Sequence, residues 1–201
     1  MKSCLPIAAA ILAGSLLATP GQAATYVFAD ALAGINEVPA NASPGTGFAQ
    51  VTFDTSAHTM RVEVNFTGLL GTTTASHVHI STGPIGTNGP VVTQTPSFTG
   101  FPLGVSAGSY DHVFDLTLAS TYNASFVTAN GGSVAASEAA LLAGLLAGKA
   151  YLNVHSNLFP GGEIRGNLAA VPEPASWALM IGGFALAGGS LRARRWLAVA
   201  A

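Results

Sequence analysis

Cysteine is nearly absent from this sequence. The single cysteine, Cys4, stands ahead of the first apolar run, within a segment that we expect to be removed from the mature protein. The remaining chain would therefore hold neither a disulfide nor a thiol nucleophile. This excludes a disulfide-stapled scaffold and a cysteine-dependent enzyme.

Charge is also scarce, at 8% of all residues. Between residues 24 and 170 there are three basic and eight acidic side chains, a formal charge of −5. Nucleic-acid-binding domains show the opposite pattern, with clustered lysine and arginine, so we expect no nucleic-acid partner. Polar surface must come from Thr, Ser, Asn and Gly, which is typical of a secreted β protein.

Catalytic constellations are missing as well. No serine lies in a Gly-x-Ser-x-Gly elbow. Asp111 and Asp115 share the polar face of a predicted strand, but four residues of strand separate them by about 13 Å, too far for a glycosidase pair. The sequence therefore favours a protein that is not an enzyme.

The first 23 residues have the three parts of a secretory signal. Lys2 is followed by an apolar run from Leu5 to Leu17, and small residues occupy Gly21 and Ala23. We expect signal peptidase to cleave after Ala23. Residues 24–170 then form the exported domain, which is long enough to bury a core.

The other end of the chain carries a second apolar segment. Pro172-Glu173-Pro174 precedes an apolar run from Ala175 to Leu191, with Arg192, Arg194 and Arg195 directly after it. The run of 17 residues would span about 25 Å as a transmembrane helix, and the arginines would hold its end in the cytoplasm. The alternative is a plain membrane anchor that is never processed.

Residues 171–196 resemble the PEP-CTERM sorting signal of Gram-negative bacteria. The resemblance implies that an exosortase cuts the tail near Pro172-Glu173-Pro174 after transient anchoring in the inner membrane. The domain would then reach the cell surface or the extracellular matrix, where polysaccharide is a candidate partner. The six residues from Trp196 to Ala201 depart from the expected ending.

The residue pattern in the middle of the chain predicts β-strands. Residues 59–66 alternate without error, with Met60 and Val62 among those on the apolar face. A similar alternation runs from Tyr110 to Leu118. Further strands are predicted at the segments 26–32, 48–53, 77–80, 150–155 and 163–168.

One segment has helical spacing instead. Ser133 is a candidate N-cap, leucines recur on one face of residues 134–146, and Gly148 is the expected end. Residues 81–108, rich in Gly, Pro, Ser and Thr, are predicted to form a long loop. Short strands with Gly and Pro turns indicate an all-β sandwich or Greek-key barrel with one short helix.

Three segments resemble the CHRD (chordin-like) domain family. They are Leu32-Ala-Gly-Ile-Asn-Glu-Val-Pro39, His77-Val-His-Ile-Ser-Thr-Gly-Pro84, and Tyr151-Leu-Asn-Val-His-Ser156 with Pro160-Gly-Gly-Glu-Ile-Arg-Gly-Asn-Leu168. Ala40 and Ser81-Thr82 depart from the family pattern. The resemblance implies an immunoglobulin-like or superoxide-dismutase-like β fold and a secreted module, but no reaction.

Three histidines in these segments are candidate metal ligands. His77 and His79 are two residues apart on a strand, so their rings share a face with backbones about 7 Å apart. If the strand bearing His155 is a neighbour, three imidazoles meet and fit a copper or zinc ion. The alternative is that they hold strands and loops together by hydrogen bonds.

Other polar residues have more ordinary interpretations. Glu163 either orients one imidazole or supplies an oxygen to the ion. Alternatively, Glu163 and Arg165, two apart on the same strand face, form an ion pair or bind backbone carbonyls at the rim of the barrel. His58 lies in a predicted turn and is expected to be solvated. His112 lies on the apolar face of its strand and is expected to be a core histidine.

The leading hypothesis is therefore an exported surface or matrix module with a structural or binding role. The alternative is a secreted metal-dependent enzyme of the copper/zinc type, using His77, His79 and His155.

Overall fold

A computed structural model describes residues 24–172 of the chain. This region contains eight strands: β1 Thr25–Ala33, β2 Thr46–Asp54, β3 Thr59–Thr67, β4 Thr73–Ile80, β5 Gly108–Asp115, β6 Ala150–Ser156, β7 Ile164–Asn167 and β8 Ala169–Ala170. The helices are α1 Ala124–Ala129 and α2 Val134–Leu146, with 3-10 turns at Gly34–Asn36 and Ala119–Thr121. The all-β prediction is confirmed.

The strands form one antiparallel sheet in the order β4-β6-β7-β1-β2-β3-β5, with β8 paired to β1. The sheet curls into a half-barrel. At its open side, the Thr73 N–H donates to the Val105 carbonyl and the Gly104 N–H donates to the Thr73 carbonyl, both at 2.8 Å. These two bonds link the start of β4 to the residues just before β5.

Alternating apolar side chains on the strands build the core, as the sequence predicts. Met60 and Val62 of β3 are 0% exposed, and Val51 and Phe53 of β2 are equally buried beside them. Because the β2–β3 register pairs Val51 with Val62, both strands turn the same face inward. Burial of such side chains is the main force that holds the sheet curled.

Helix α2 covers the core and matches its predicted bounds within one residue. The Ser133 side chain accepts a hydrogen bond from the Ala136 N–H at 3.2 Å, and Leu141 and Leu145 are buried. Gly148 follows the helix at φ +65°, a conformation that favours glycine and ends the helix.

Replacing Ser133 with alanine is expected to lower the free energy of unfolding by about 1 kcal/mol, because one N-terminal amide loses its acceptor. Urea denaturation measures the change. Ser120→Ala, at an exposed serine of the second 3-10 turn, is the matched control and should change stability by less than about 0.5 kcal/mol. Equal effects of the two substitutions would contradict the capping role.

Two predicted boundaries are wrong. The strand expected from Tyr110 to Leu118 ends at Asp115, because the Asp115 carboxylate accepts hydrogen bonds from the Thr117 N–H and hydroxyl and turns the chain. Leu118 is consequently 51% exposed. Strand β4 begins at Thr73, four residues before the predicted start at His77. The prediction missed this part of the strand because Thr73 to Ser76 show no apolar alternation.

Helix α1 is absent from the sequence-based prediction. It is six residues long, buries no side chain fully, and is preceded by the N-cap Asn123, whose side chain accepts a hydrogen bond from the Ser125 N–H. The predicted loop between β4 and β5 is confirmed, although Val92 and Phe98 within it are buried in the core.

The terminal predictions concern residues that lie outside the described ones, namely the signal at 1–23 and the anchor from Glu173 onward. Within residues 24–172, no helix is long and apolar enough to span a membrane. At the C-terminal boundary, the Val171 N–H donates to the Val27 carbonyl at 2.8 Å, and Pro172 is exposed.

Candidate metal centre

Neighbouring strands β4 and β6 bring the three predicted histidines together. The antiparallel register places Asn153 opposite His77, Tyr151 opposite His79 and His155 opposite Ala75. All of these side chains lie on one face of the two strands, and Val78, Leu152 and Val154 point from the other face into the core. The condition set by the sequence, that the two histidine-bearing strands be adjacent, is met.

Loops cover this face and fix each imidazole through one ring nitrogen. His77 Nε2 lies 2.8 Å from the Pro96 carbonyl oxygen, His79 Nδ1 lies 2.9 Å from that of Gly89, and His155 Nδ1 lies 2.8 Å from that of Pro160. A carbonyl oxygen only accepts, so each of these nitrogens carries the proton in the neutral ring. The other nitrogen of each ring is left with a free lone pair.

The free nitrogens converge. One ring nitrogen of each histidine lies within 4.8 Å of one from each of the others. His77 Nδ1 and His155 Nε2 are 3.3 Å apart, yet neither holds a proton to share with the other. His79 Nε2 is buried with no hydrogen-bond partner. Two nitrogens bound tetrahedrally to one zinc ion are separated by about 3.3 Å, which is the separation of the His77 and His155 nitrogens.

Burial keeps these imidazoles neutral. Desolvation lowers the pKa of His77 and of His79 to about 4, against the opposing effect of the carbonyl hydrogen bonds. Burial also lowers the pKa of His155. Neutral imidazole is the form that binds metals, so the site is ready for a ligand at ordinary pH.

The metal-free protein is expected to lose stability as the pH falls from about 6.5 towards 4. The unfolded chain protonates His77 and His79 near their ordinary pKa of 6.5, whereas the folded protein does so only near 4. Unfolding therefore takes up protons in this window, and acid favours the unfolded state.

Glu37 acts in the opposite sense. Burial raises the pKa of Glu37 from 4.5 to about 7, although the Arg165 charge opposes the shift. The contribution of Glu37 to stability is therefore fully present below pH 4.5 and is lost as the pH rises through 7. Glu37 thus offsets one histidine, and the net loss of stability between pH 6.5 and 4.5 is about 2 kcal/mol. Urea titrations of chelator-treated protein at several pH values measure it, and a flat profile would contradict it.

A stack of side chains supports His79. The Tyr151 ring lies 4.6 Å from the His79 ring, nearly parallel, and the Arg165 guanidinium lies 3.4 Å from the Tyr151 ring centroid. Arg165 is fully buried and donates to the Thr87 carbonyl and to the side chains of Asn88 and Asn167. The arginine therefore ties the loop after β4 to the sheet and holds His79 in place.

Two further polar residues of this region were missed as site residues by sequence reasoning. Glu37 and Asn153 are 7% and 2% exposed, and Glu37 Oε1 and Asn153 Oδ1 have no hydrogen-bond partner. Period-two alternation on β6 places Asn153 on the face of His155 and was the available signal. Glu37 lies after the first 3-10 turn and borders a cavity of about 280 Å³ between that turn and residues 158–162.

The predicted roles of Glu163 are wrong. Its carboxylate contacts no imidazole and makes no ion pair with Arg165; it accepts hydrogen bonds from the Ser43 hydroxyl at 2.7 Å and from the N–H groups of Leu70 and Gly71. Glu163 precedes β7, so strand alternation does not govern its direction. Of the contacts predicted for this pair, only an Arg165 bond to a backbone carbonyl is confirmed.

The remaining candidates lie apart from the three histidines. His58 is not simply solvated, since its Nδ1 lies 2.9 Å from a Glu138 carboxylate oxygen and links the β2–β3 turn to α2. His112 is half-buried between Tyr110 and Phe114. Asp111 is paired with Arg61 on the outer face of the sheet.

Comparison with known proteins gives one match. The family model of the CHRD domain matches residues 28–168. No curated protein and no solved structure matches the chain.

Proposed function

We propose, from the premise that this chain belongs to the CHRD domain family, that it is an exported module which binds a transition metal ion, copper or zinc, through His77, His79 and His155. The observation that carries the proposal is the convergence of three unprotonated ring nitrogens in a buried site. Each of these rings already has its other nitrogen bonded to a backbone carbonyl. Metal-binding histidines are oriented by the same kind of outer contact.

The role is binding rather than turnover. Two of the three fixed imidazoles are buried, His77 at 7% and His79 at 8% exposed, and only His155 is partly exposed, so the site holds an ion with a narrow approach for substrate. The bound ion would also stabilise the module, because it ties β4 and β6 to each other and to the loops that cover them. That combination suits a structural or binding protein of the cell envelope or matrix.

Calorimetric titration of the chelator-treated full chain, purified in detergent, tests the metal proposal. We expect one equivalent of Zn²⁺ or Cu²⁺ to bind, with a rise of several degrees in the melting temperature at a hundredfold excess over the Kd. No heat of binding and no thermal shift with either ion would overturn it.

The second part of the proposal is the route to the surface. Signal peptidase would remove residues 1–23, and an exosortase would cut near Pro172-Glu173-Pro174 after transient anchoring in the inner membrane. The exposed position of Pro172, just after β8 closes against β1, supports access of a protease to this point. Extracellular polysaccharide or matrix is the proposed surrounding of the released or attached module.

Intact-mass measurement of the native protein tests this route. The expected species begins at Ala24 and ends near Pro174. A species that retains Met1 would contradict export through the signal, and one that extends beyond Arg195 would contradict cleavage of the tail.

A further inference from the structure

Three buried side-chain atoms in residues 24–172 lack a hydrogen-bond partner, and all three belong to one region: His79 Nε2, Asn153 Oδ1 and Glu37 Oε1. Folded proteins leave few such atoms unpaired, so a group of them in one place calls for a partner, which an ordered water or a bound ion would supply. We infer that Asn153 completes the metal site by presenting its amide oxygen to the ion as the fourth ligand. This inference rests on the proposed metal-binding function.

The register of the strands puts Asn153 at the centre of the three histidines. It is directly opposite His77 on the neighbouring strand, two residues from His155 on the same face of its own strand, and diagonal to His79. Opposed side chains in an antiparallel pair have Cβ atoms about 5 Å apart, and diagonal ones lie within about 8 Å. An amide at this position therefore reaches the space between the imidazoles.

The two ends of the amide are distinguished by their surroundings. Asn153 Nδ2 lies 3.4 Å from the Gly161 carbonyl oxygen, and the Glu37 carboxyl is on the same side, next to Gly162. The Gly161 carbonyl oxygen only accepts, so the NH₂ group must face it. The oxygen is consequently turned away from residues 161–162, and it has no hydrogen-bond partner there or elsewhere in the described residues.

Gly162 makes this arrangement possible. It has φ +132°, and a Cβ there would fall among the Glu37 carboxyl and the Asn153 amide, 2.6 Å from Asn153 Nδ2. Only glycine lets the two side chains pack this closely to the turn. The orientation of Asn153 is thereby fixed before any metal binds. The free-energy cost of removing its amide from water has also been incurred already during folding.

A neutral amide oxygen beside three imidazoles has chemical consequences. Four protein ligands close a tetrahedral site, which is the pattern of sites that hold an ion rather than activate water. Oxygen and imidazole donors favour Zn²⁺, Co²⁺ or Cu²⁺ over Cu⁺, which prefers sulfur ligands. Asn153 thus sets both the ion that is bound and the absence of an open position.

Titration with Co²⁺ tests the inference, since the visible absorption of this ion is intense in four-coordinate sites and weak in five- or six-coordinate ones. The full chain is expected to give the intense spectrum. Asn153→Leu, of similar volume, is expected to lower the affinity at least tenfold and to change the spectrum. Asn153→Asp, which retains an oxygen and adds charge, is expected to keep the intense spectrum and to raise the affinity at least tenfold.

The outcomes separate this inference from the proposal beneath it. If the unaltered chain binds no ion, the metal proposal fails. If it binds while Asn153→Leu keeps the same affinity within twofold and the same spectrum, only the role of Asn153 is overturned. Should Asn153→Leu fail to fold, as shown by the loss of its cooperative melting, Asn153→Asp decides: an unchanged or weaker affinity overturns the inference.

Discussion

Replacing His79 with alanine is expected to reduce the affinity of the protein for Zn²⁺ or Cu²⁺ by at least about 100-fold. Loss of even an outer contact to a metal ligand costs 10- to 100-fold, and His79→Ala removes a ligand itself. The Nε2 of His79 has no other partner, so no protein group takes over its place. His77→Ala and His155→Ala should weaken binding to a similar extent.

His112→Ala is the matched control for this prediction. His112 is also a strand histidine and is half-buried, but it packs against Tyr110 and Phe114, away from the three ligands. Its removal should leave the affinity within twofold of the original value. Calorimetry measures the affinity of both variants, and the thermal shift caused by the ion should vanish for His79→Ala and persist for His112→Ala. Equal affinities for all the variants would show that the ion binds elsewhere.

The second large effect is expected at Glu163. Changing it to glutamine should lower the free energy of unfolding by about 3 kcal/mol. The reason is that the carboxylate oxygens now accept hydrogen bonds from two backbone N–H groups, and the new NH₂ group would face one of these donors. The side chain is 0% exposed, so water cannot replace the lost bonds. Hydrogen bonds to a charged acceptor are stronger than neutral ones, which adds to the loss.

Glu63→Gln is the control for this substitution. Glu63 lies on the outer face of β3, its side chain is 33% exposed, and it contacts Arg61 at 3.1 Å. An exposed pair of this kind contributes little, so a change below about 1 kcal/mol is expected. Urea denaturation at pH 7 measures both. A loss at Glu163 no larger than that at Glu63 would show that its buried hydrogen bonds do not hold the loop at Leu70 and Gly71.

Glu163 also illustrates what local pattern does not reveal. Two residues from Arg165, it was expected on the same strand face, but β7 begins one residue later and the carboxylate binds Ser43 and the segment after β3. These partners are about 90 to 120 residues away in sequence. A contact between residues so far apart in sequence depends on which strands become neighbours in the sheet. The periodicity of apolar residues within one strand does not encode this.

Segments with a strong apolar periodicity were predicted accurately. The alternation of residues 59–66 predicted β3 within one residue, and the leucine spacing with Ser133 predicted α2 equally well. Short or polar elements were missed, namely α1 and the first half of β4, because neither has an apolar pattern long enough to distinguish it from a loop. The CHRD resemblance of the three quoted segments is confirmed by the family match over residues 28–168. The sorting signal stays a prediction.

The sequence by itself determined the all-β class, the alternating core strands, the family and the identity of the three histidines, because each is written in local spacing or in short motifs. Only the tertiary structure decided that β4 and β6 are neighbours, that loops bury the imidazoles and fix their protons on the outer nitrogens, and that Glu37 and Asn153 lie beside them. The physical reason is that a binding site depends on desolvation and on donors and acceptors from distant segments. Both exist only once the sheet has curled and the loops have closed over it.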